Sequence, residues 1–499
     1  MELRKVLAGQ DAEINGDAGV EISGLAYDSR RAGPGVLFFC VPGERADGHD
    51  FAEAVVDAGS PALVVERRLG LDASEALVRD ARAAMAPAAC AFWRDPTAEL
   101  QVAGVTGTNG KTTTAFLIRH LLETGGVHTG LLGTVKSVIG GVDAEVERTT
   151  PEAIDLQATF RSMLDAGDRA CAMEVSSHAL KLGRADLIRF GVAVFTNLTQ
   201  DHLDFHPDME DYYAAKRVLF LPDRGERPGA AVVNIDDDYG RRLAGELEAE
   251  YGDDLVTFSA AGDDAAAIRA DAVSFDASGS RFGVIGSLGD LTVEMPLPGH
   301  FNVENALAAL AAAVALGASA PTAAGALATA QRVPGRLEAV AEGQRFAVLV
   351  DYAHTPDSLE NVLRAARRLT TGRLICVFGC GGDRDREKRP QMGEIAARLA
   401  DVPVLTSDNP RSEDPEAILA DVLAGIEGGR GRDGLVVEVD RRAAIHAALA
   451  LAAPGDTVVI AGKGHEQGQE FEGGRKLPFD DREVAREELH RLGVVPEPA

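Results

Sequence analysis

The chain has 499 residues and a formal net charge of -28, from 50 basic and 78 acidic side chains. At about 150 residues per domain, this length predicts three domains rather than one core. The acidic excess excludes a broad basic face for nucleic acid or anionic lipid, so an anionic ligand has to be held by local clusters.

The cysteine content and the apolar segments predict a cytoplasmic protein without membrane contact. Five cysteines are an odd number and include no C-x-x-C pair, which favours reduced thiols. The first residues, Met-Glu-Leu-Arg-Lys-Val, lack the apolar segment of a signal peptide. The longest uncharged stretch, 305–330, is interrupted by Gly317 and Pro321, which is typical of packed helices rather than a membrane span.

The order of apolar runs predicts an α/β fold in three domains: 1–98, 99–333 and 334–499. The first has short β-type runs at 36–41 and 62–66 around an amphipathic helix at 51–58, and it ends near Asp95-Pro96. The second alternates strands at 101–105, 129–133, 170–175, 192–196 and 230–234 with helices, which predicts a parallel sheet. Residues 255–297 instead contain runs in which apolar and polar residues alternate, and Gly-rich turns separate these runs. This pattern predicts an antiparallel insertion. After a break at 333–336, strands at 346–350, 373–378, 402–406 and 457–461 predict a Rossmann-like third domain.

The most informative motif follows the first strand of the second domain. Gly107-Thr108-Asn109-Gly110-Lys111-Thr112-Thr113 joins an apolar strand to a helix, so its N–H groups and the helix N-terminus form a phosphate cradle. In such a loop Lys111 reaches the terminal phosphates of ATP and Thr112 holds Mg²⁺. The spacing departs from the strict Walker pattern, because Val105 stands where that pattern has glycine. The alternative is an ordinary glycine turn.

Polar residues also follow the other strands, at the sheet edge where ligands of open α/β sheets bind. Glu174 ends a buried strand, where Mg²⁺ would offset the cost of desolvating a carboxylate; the alternative is a glutamate that faces solvent. His202 either ligates a second ion or pairs with its neighbours Asp201 and Asp204. Asn302 and Asn305 lie at the start of an alanine-rich helix. They either approach a purine or serve as the N-terminal cap of this helix and a solvent-facing asparagine. Lys216 has no role on sequence grounds, since a helical lysine is usually a solvated charge.

Similar polar clusters follow the strands of the third domain, at 351–354, 379–384, 407–411 and 462–466. Two sheets therefore each present a polar edge. A cleft between them is the predicted active site.

The ordered motifs resemble those of the Mur ligases, which form the amide bonds of the peptidoglycan stem peptide at the expense of ATP. The resemblance covers nearly the whole chain, and it is greatest to the branch that adds diaminopimelate as the third residue of the peptide. The motifs are the phosphate loop, Glu174-x-Ser-Ser-His178, Thr196-Asn-Leu198 with Asp201-His-Leu-Asp204, Asn302 and Asn305, Gly335-Arg336, Asp351-Tyr-Ala-His-x-Pro356 and Ser407-Asp-Asn-Pro-Arg411.

The resemblance implies a substrate site at the first domain and its cleft. Residues that would hold the UDP-sugar peptide are Tyr27, Ser29, Glu44, Arg45 and Ala46 in the first domain, and Thr149, Thr150, Ser176 and Arg184 at the cleft. Two nearby positions depart from the family pattern, since Arg148 and Leu182 stand where relatives carry polar amides.

The resemblance also implies the chemistry. The acceptor carboxylate attacks the γ-phosphate of ATP, and the resulting acyl phosphate is displaced by the amine of the third amino acid. Lys111, Glu174, His202 and Lys216 would be catalytic, with Lys216 modified by CO₂ to a carbamate that ligates Mg²⁺ together with Thr112, Glu174 and His202. Asn302, Asn305, Arg336 and Asp351 would complete the ATP site when the third domain closes.

The incoming amino acid would be held by residues of the third domain: Arg384, Asp408, Asn409, Pro410, Arg411, Gly462 and Glu466. A proline turn that caps the next helix explains residues 408–410 but gives Arg411 no task. A guanidinium grips a carboxylate bidentately, so Arg411 would read the second carboxylate of diaminopimelate. Lysine would leave Arg411 unpaired and be rejected by roughly 10⁴-fold.

Three alternatives remain at this level. The first is ligation of L-lysine or another diamine by the same mechanism. The second is an enzyme like folylpolyglutamate synthetase, which shares the phosphate loop but lacks the first ~100 residues seen here. The third is a nucleotide-gated binding protein without turnover. The predicted partners are small-molecule substrates only, and the predicted state is a monomer.

Overall fold

The fold is given by a computed structural model that describes residues 1–43, 46–146, 148–276, 278–426 and 432–494. Within these ranges, three larger sheets and one hairpin follow one another along the chain. No helix of the described ranges is long and apolar enough to cross a membrane.

The first sheet has five strands in the order β1-β5-β4-β3-β2. Apolar clusters cover both of its faces. The predicted strands at 36–41 and 62–66 and the helix at 51–58 are confirmed. The elements are β1 (Glu13–Asn15), β2 (Gly24–Ala26), β3 (Val36–Phe39), β4 (Ala62–Val65) and β5 (Ser74–Leu77), with α1 (Leu3–Val6), α2 (Ala52–Asp57) and α3 (Met85–Trp93).

The central sheet has eleven strands in the order β16-β15-β14-β13-β12-β11-β6-β10-β7-β8-β9. Its strands are β6 (Gln101–Thr106), β7 (Thr129–Leu132), β8 (Ser137–Ile139), β9 (Val142–Ala144), β10 (Ala170–Glu174), β11 (Phe190–Phe195), β12 (Ala230–Asn234), β13 (Leu255–Ser259), β14 (Ile268–Asp276), β15 (Gly279–Gly286) and β16 (Leu291–Met295). Its helices are α4 (Lys111–Thr124), α5 (Ala153–Asp165), α6 (Ser177–Lys181), α7 (Met209–Arg217), α8 (Asp238–Tyr251), α9 (His300–Ala315) and α10 (Ala320–Ala326).

The position of β6 places the phosphate loop in the middle of this sheet. β6 pairs in parallel with β10 on one side and with β11 on the other. The carboxyl ends of these three strands therefore meet at one edge, and that edge carries the phosphate loop, Glu174 and Thr196. The five predicted parallel strands are confirmed.

The predicted antiparallel insertion at 255–297 is partly wrong. β14, β15 and β16 are antiparallel, as expected. However, β13 pairs in parallel with β12 and with β14, so the segment extends the central sheet instead of forming a separate unit. Alternating polarity along a strand indicates that one face of its sheet is solvated. The alternation does not tell which other strand pairs with it.

The third sheet has the order β17-β18-β22-β19-β20-β21, and its four predicted strands are confirmed. The sequence analysis did not predict the two short edge strands, β17 and β21, or the hairpin β23–β24 that follows the last predicted strand. The strands are β17 (Glu338–Ala339), β18 (Ala347–Asp351), β19 (Leu374–Phe378), β20 (Val402–Leu405), β21 (Val436–Val437), β22 (Thr457–Ala461), β23 (Gly468–Phe471) and β24 (Arg475–Pro478). The helices are α11 (Pro356–Leu369), α12 (Lys388–Leu399), α13 (Pro415–Leu423), α14 (Arg441–Leu451) and α15 (Asp481–Arg491).

Candidate functional site

Two glycines give the phosphate loop its shape. Gly107 and Gly110 have φ of 151° and 87°. A Cβ at Gly107 would lie 1.9 Å from Thr196 Oγ1, and one at Gly110 would lie 2.4 Å from Asn305 Oδ1. The loop therefore packs against the ends of β11 and α9 at distances that exclude any side chain. This close packing goes beyond what an ordinary glycine turn requires.

Lys111 begins α4 and folds back over the loop. Its Nζ donates to the carbonyl oxygens of Gly107 and Thr108, at 2.8 Å each. Burial lowers the pKa of the Lys111 amine, while the nearby Glu174 carboxylate raises it. The amine is thus held at the centre of the cradle that the sequence predicts for phosphate.

Glu174 does not face solvent, so that alternative is wrong. It is 1% exposed, and it accepts hydrogen bonds from Thr112 Oγ1 at 3.0 Å, Thr134 N at 2.7 Å and Thr134 Oγ1 at 3.1 Å. A buried carboxylate beside a threonine hydroxyl is a set of hard oxygen donors, which is the kind that Mg²⁺ takes. The residues present therefore fit the predicted ion.

A cavity beside the phosphate loop is lined by residues of both the second and the third domain. Of the residues predicted to bind ATP, seven line it: Asn109, Gly110, Thr112, Thr113, Asn305, Arg336 and Asp351. Arg336 comes from the far side and donates from Nη2 to Thr112 Oγ1 at 3.1 Å. Burial raises the pKa of Asp351 to about 6.

Two residues predicted to bind ATP, Thr108 and Asn302, do not line this cavity. Thr108 supports the phosphate loop by donating from Oγ1 to the Thr199 carbonyl at 3.1 Å. Asn302 donates to the Pro298 carbonyl.

Lys216 is buried, and the view of it as a solvated surface charge is wrong. Its side chain is 1% exposed, and Nζ donates to the Gly107 carbonyl at 2.8 Å. Burial and the neighbouring Lys111 hold the pKa of this amine well below its usual range. A lysine with a lowered pKa is a nucleophile at neutral pH, which is the state that adds to CO₂. No local sequence signal gives this burial, because it depends on α7 lying under the phosphate loop.

His202 pairs with Asp201, and this leaves both interpretations of it open. Nε2 of His202 lies 3.4 Å from Asp201 Oδ2. Burial lowers the pKa of His202 to about 3, so the ring is neutral and carries a free electron pair for a metal. Asp201 is also faced by two groups of the third domain, His354 at 4.0 Å and Lys388 at 3.7 Å. Among the described residues, no group of three or more His, Cys, Asp or Glu could hold a metal.

The four cleft residues predicted for the acceptor lie beside the Glu174 strand end. Thr149 Oγ1 is 3.0 Å from Thr134 Oγ1, which itself donates to Glu174. Thr150 Oγ1 donates to the Glu174 carbonyl and accepts from Ser176 N, and Arg184 Nη1 lies 3.4 Å from the Thr150 carbonyl. The acceptor peptide and the phosphate loop would therefore be adjacent.

A buried carboxylate that the sequence reasoning missed organises this cleft. Glu152 is 2% exposed and pairs at 3.0 Å with each of three arginines, Arg82, Arg148 and Arg184. Three guanidinium groups on one carboxylate leave an excess of positive charge, which suits an anionic substrate. The clue in the sequence was the position of Glu152 directly after the Thr149-Thr-Pro151 cluster.

The first-domain residues predicted to hold the UDP-sugar do not form a single cluster of side-chain contacts among the described residues. Tyr27 donates from its hydroxyl to Asp155 Oδ2 at 2.7 Å, across the junction with α5. Ser29 opens a short 3₁₀ turn, and Ala46 is exposed. Glu44 and Arg45 lie outside the described residues.

A second cavity of about 200 Å³ lies between His202 and the third sheet. Six of the seven residues predicted to hold the incoming amino acid line it: Arg384, Asp408, Asn409, Arg411, Gly462 and Glu466. Pro410 does not line the cavity. Its carbonyl oxygen packs against Gly382, in the space that a side chain at that position would need. Sequence reasoning missed Lys388, Tyr352 and His354 as lining residues. The motif 351–356 signalled the last two.

The Glu466 side of this cavity is held by a network of polar groups. Lys463 is buried, and its Nζ donates to Asn409 Oδ1 at 2.9 Å and to Glu466 Oε2 at 2.8 Å. Asn409 Nδ2 donates to the same oxygen of Glu466 at 2.9 Å. Because of these contacts with Lys463 and Asn409, the pKa of Glu466 is lowered despite its burial.

Arg411 already has partners, so the expectation that lysine would leave it unpaired is wrong. Its Nε donates to Glu470 Oε2 at 3.1 Å and its Nη1 to the Gly382 carbonyl at 2.7 Å. Glu470 lies on the unpredicted hairpin. The alternative of a turn that caps the next helix is wrong too, since α13 begins at Pro415 and is capped by Asp414.

Three family models together match most of the chain. They are the Mur ligase family catalytic domain at 21–103, the Mur ligase middle domain at 105–313 and the Mur ligase glutamate ligase domain at 335–464. This chain belongs to the Mur ligase family. The predicted family and the three-domain α/β fold are thereby confirmed.

Three known proteins illustrate the similarity. The UDP-N-acetylmuramoyl-L-alanyl-D-glutamate–2,6-diaminopimelate ligase of Streptomyces coelicolor is 48% identical over 95% of this chain and 94% of its own. A solved structure of a ligase of the same name is 33% identical, with a TM-score of 0.68 over 99% of both chains. Folylpolyglutamate synthase of Mycobacterium tuberculosis, solved with ADP and AMPPCP, has a TM-score of 0.60 over 84% of this chain, at 19% identity, which shows a shared fold.

Proposed function

We propose that this Mur ligase adds 2,6-diaminopimelate to UDP-N-acetylmuramoyl-L-alanyl-D-glutamate, with hydrolysis of ATP to ADP and phosphate, in peptidoglycan precursor synthesis. The observation that carries the proposal is the placement of two arginines, Arg384 and Arg411, in a cavity that adjoins His202 at the phosphate-loop edge. An amino acid with two carboxylates suits a cavity with two guanidinium groups. The names of the relatives point to the same substrates.

In the first step, the D-glutamate carboxylate of the acceptor attacks the γ-phosphate. Negative charge then builds on the phosphoryl oxygens, and Lys111 neutralises it from the loop while Arg336 approaches from the third domain. Mg²⁺, held by Thr112 and Glu174, would supply further positive charge there. The acceptor itself would be oriented by Thr149, Thr150, Ser176 and Arg184.

In the second step, the amine of the incoming amino acid displaces phosphate from the acyl phosphate. Its carboxylates would be held by Arg384 and Arg411, and its distal ammonium by Glu466 and the backbone of Gly462, with Asp408, Asn409 and Pro410 shaping the pocket. Lys216 as a carbamate would be an anionic ligand next to His202, so that a cation could bind where an ammonium would repel it.

The remaining assignments are proposals of the same kind. We place the domain boundaries at 1–98, 99–333 and 334–499, and the UDP moiety at Tyr27, Ser29, Glu44, Arg45 and Ala46. Asn302 and Asn305 would approach the purine. The protein would act as a cytoplasmic monomer on small-molecule substrates. No observation favours a folate substrate, since the similarity to folylpolyglutamate synthase concerns the fold alone.

One assay tests the function. The protein is incubated with the UDP-dipeptide, Mg-ATP and, separately, meso-diaminopimelate, LL-diaminopimelate or L-lysine, and the product is identified by mass. We expect a UDP-tripeptide that contains diaminopimelate, and phosphate release that depends on both substrates. Release of phosphate without an amide product, or preferential use of lysine, would contradict the proposal.

Arg411→Ala is expected to raise the KM for diaminopimelate about 10-fold or more, while the KM for ATP changes less than about 2-fold. The reason is that a charge-assisted bidentate contact to the distal carboxylate is lost, whereas the nucleotide cavity has no contact with Arg411. Initial rates at varied concentrations of each substrate measure both constants. Arg364→Ala, an exposed arginine of α11, is the control. A parallel rise in both KM values would show that the change disturbs domain docking instead.

A further inference from the structure

The hairpin β23–β24 carries a carboxylate to the arginine that is proposed to read the substrate. Glu470 lies in β23, and its Oε2 accepts from Arg411 Nε at 3.1 Å. The backbones of the two residues are also joined, since Arg411 N donates to the Glu470 carbonyl at 3.1 Å. Asn409 Oδ1 in turn accepts from Glu470 N at 2.9 Å. The hairpin strand is thus fixed to the 408–411 loop at several points.

The donors of Arg411 are therefore divided among groups of the protein itself. Nε faces Glu470, and Nη1 faces the Gly382 carbonyl at 2.7 Å. A bidentate contact uses two N–H groups on one edge of the guanidinium, either Nε with Nη2 or the two terminal nitrogens. Glu470 engages the single N–H of Nε and so occupies the edge of Nε and Nη2, whereas Nη1 has a second N–H besides the one that faces Gly382. A substrate carboxylate that binds the edge of Nε and Nη2 has to displace Glu470, whose side chain is 43% exposed, while the Gly382 carbonyl can stay in place.

We propose that Glu470 is a specificity-determining residue that occupies Arg411 as an internal carboxylate until the carboxylate of the incoming amino acid replaces it. The proposal rests on the proposed function of this cavity. It gives Glu470 a role that differs from those of Asn409 and Glu466, whose side chains are bonded to each other within the pocket.

The exchange alters how the enzyme distinguishes diaminopimelate from lysine. When lysine binds, Arg411 keeps Glu470 as its partner, so lysine does not meet the full penalty of a buried unpaired guanidinium. When diaminopimelate binds, one carboxylate replaces another, and part of the gain is lost in releasing Glu470. Glu470 therefore lowers both the affinity for diaminopimelate and the selectivity against lysine.

Glu470→Gln tests this, because glutamine keeps the size and removes the charge. We expect the KM for diaminopimelate to fall about 2- to 5-fold, the size typical of a partly exposed ion pair, with kcat nearly unchanged. The ratio of kcat/KM for diaminopimelate to that for lysine should rise. Glu472→Gln, an exposed glutamate of the same hairpin, is the matched control and should change neither quantity.

A double variant separates this role from a structural one. In an Arg411→Ala background, Glu470→Gln should have no further effect on the KM for diaminopimelate, because the group it competes for is gone. An unchanged or raised KM in the single variant would overturn the proposal, and so would an equal effect of Glu470→Gln in both backgrounds. Circular dichroism shows whether each variant folds, and Glu470→Ala provides a second substitution with the same expected direction.

Calorimetry distinguishes failure of this inference from failure of the proposed function. Binding of diaminopimelate is measured on the protein with ADP and the UDP-dipeptide present. Tighter binding by Glu470→Gln without any ligase turnover would support the exchange and contradict the ligase function. Ligase turnover together with equal affinities of the wild type and Glu470→Gln for diaminopimelate would support the ligase function and contradict the exchange. Absence of both binding and turnover in the wild type would overturn both.

Discussion

Lys111→Ala is expected to reduce kcat by about 10³-fold or more and to leave the fold intact. The Lys111 amine lies in the phosphate loop, within 2.8 Å of two loop carbonyls, where it can reach the γ-phosphate with little movement. Removing a positive group aimed at developing charge in a water-poor site typically costs 10²- to 10³-fold, and here the charge is a full one. Phosphate release in the complete reaction measures the loss.

The fold of the Lys111 variant should survive for a specific reason. The Gly107 carbonyl keeps a donor, because Lys216 Nζ also lies 2.8 Å from it. Thermal unfolding should therefore change little, and Lys5→Ala, an exposed lysine of the first domain, serves as the control for activity. A folded variant that retains a tenth of the wild-type turnover would refute the assignment of this loop.

Lys216→Ala is expected to be nearly inactive and to regain part of its activity with small carboxylates such as acetate or propionate. The wild-type amine is buried, its pKa is strongly lowered, and it lies beside Lys111. A carbamate on Lys216 would place a negative charge beside the Lys111 amine, and a small carboxylate can occupy the space left by alanine. A protein exchanged into ¹³C-labelled bicarbonate should show a carbamate carbon by NMR that the variant lacks.

Lys181→Ala provides the control for this prediction. Lys181 ends α6, is about half exposed and pairs with Asp211 on the surface. Its loss should leave activity and the labelled signal unchanged. Full activity of Lys216→Ala at limiting Mg²⁺ would show that neither the amine nor a carbamate at this position takes part in catalysis.

The residues that the sequence predicted well are those at the ends of parallel strands. Glycines, threonines and carboxylates at or just after the ends of β6, β10 and β20 reach the ligand edge of their own sheet whatever the details of packing, so Thr112, Glu174 and Asp408 were found from local pattern alone. The residues that it misjudged depend on contacts between distant segments. Lys216 is buried only because α7 lies beneath the phosphate loop, and Arg411 is paired with a carboxylate only because a hairpin 59 residues away returns to it.

The same difference explains the error at 255–297. Alternation showed correctly that the segment forms strands, but pairing between β12 and β13 is decided by the crossover of α8, which buries Leu243 and Leu247. Likewise, two of the three arginines that meet at Glu152, Arg82 and Arg184, come from distant parts of the chain, and only the spacing of Arg148 four residues before Glu152 is local.

The contact between Arg336 and Thr112 divides one reaction centre between two sheets. The hydroxyl that touches Glu174 on one side touches a guanidinium of the third domain on the other. The set of charges that we propose around the γ-phosphate would consequently be complete only while that domain is docked, and the docked domain also brings the proposed amino-acid cavity to His202. In the proposed reaction, phosphate activation and delivery of the amine would thus share one conformational condition, which would limit the time in which water could consume the activated intermediate.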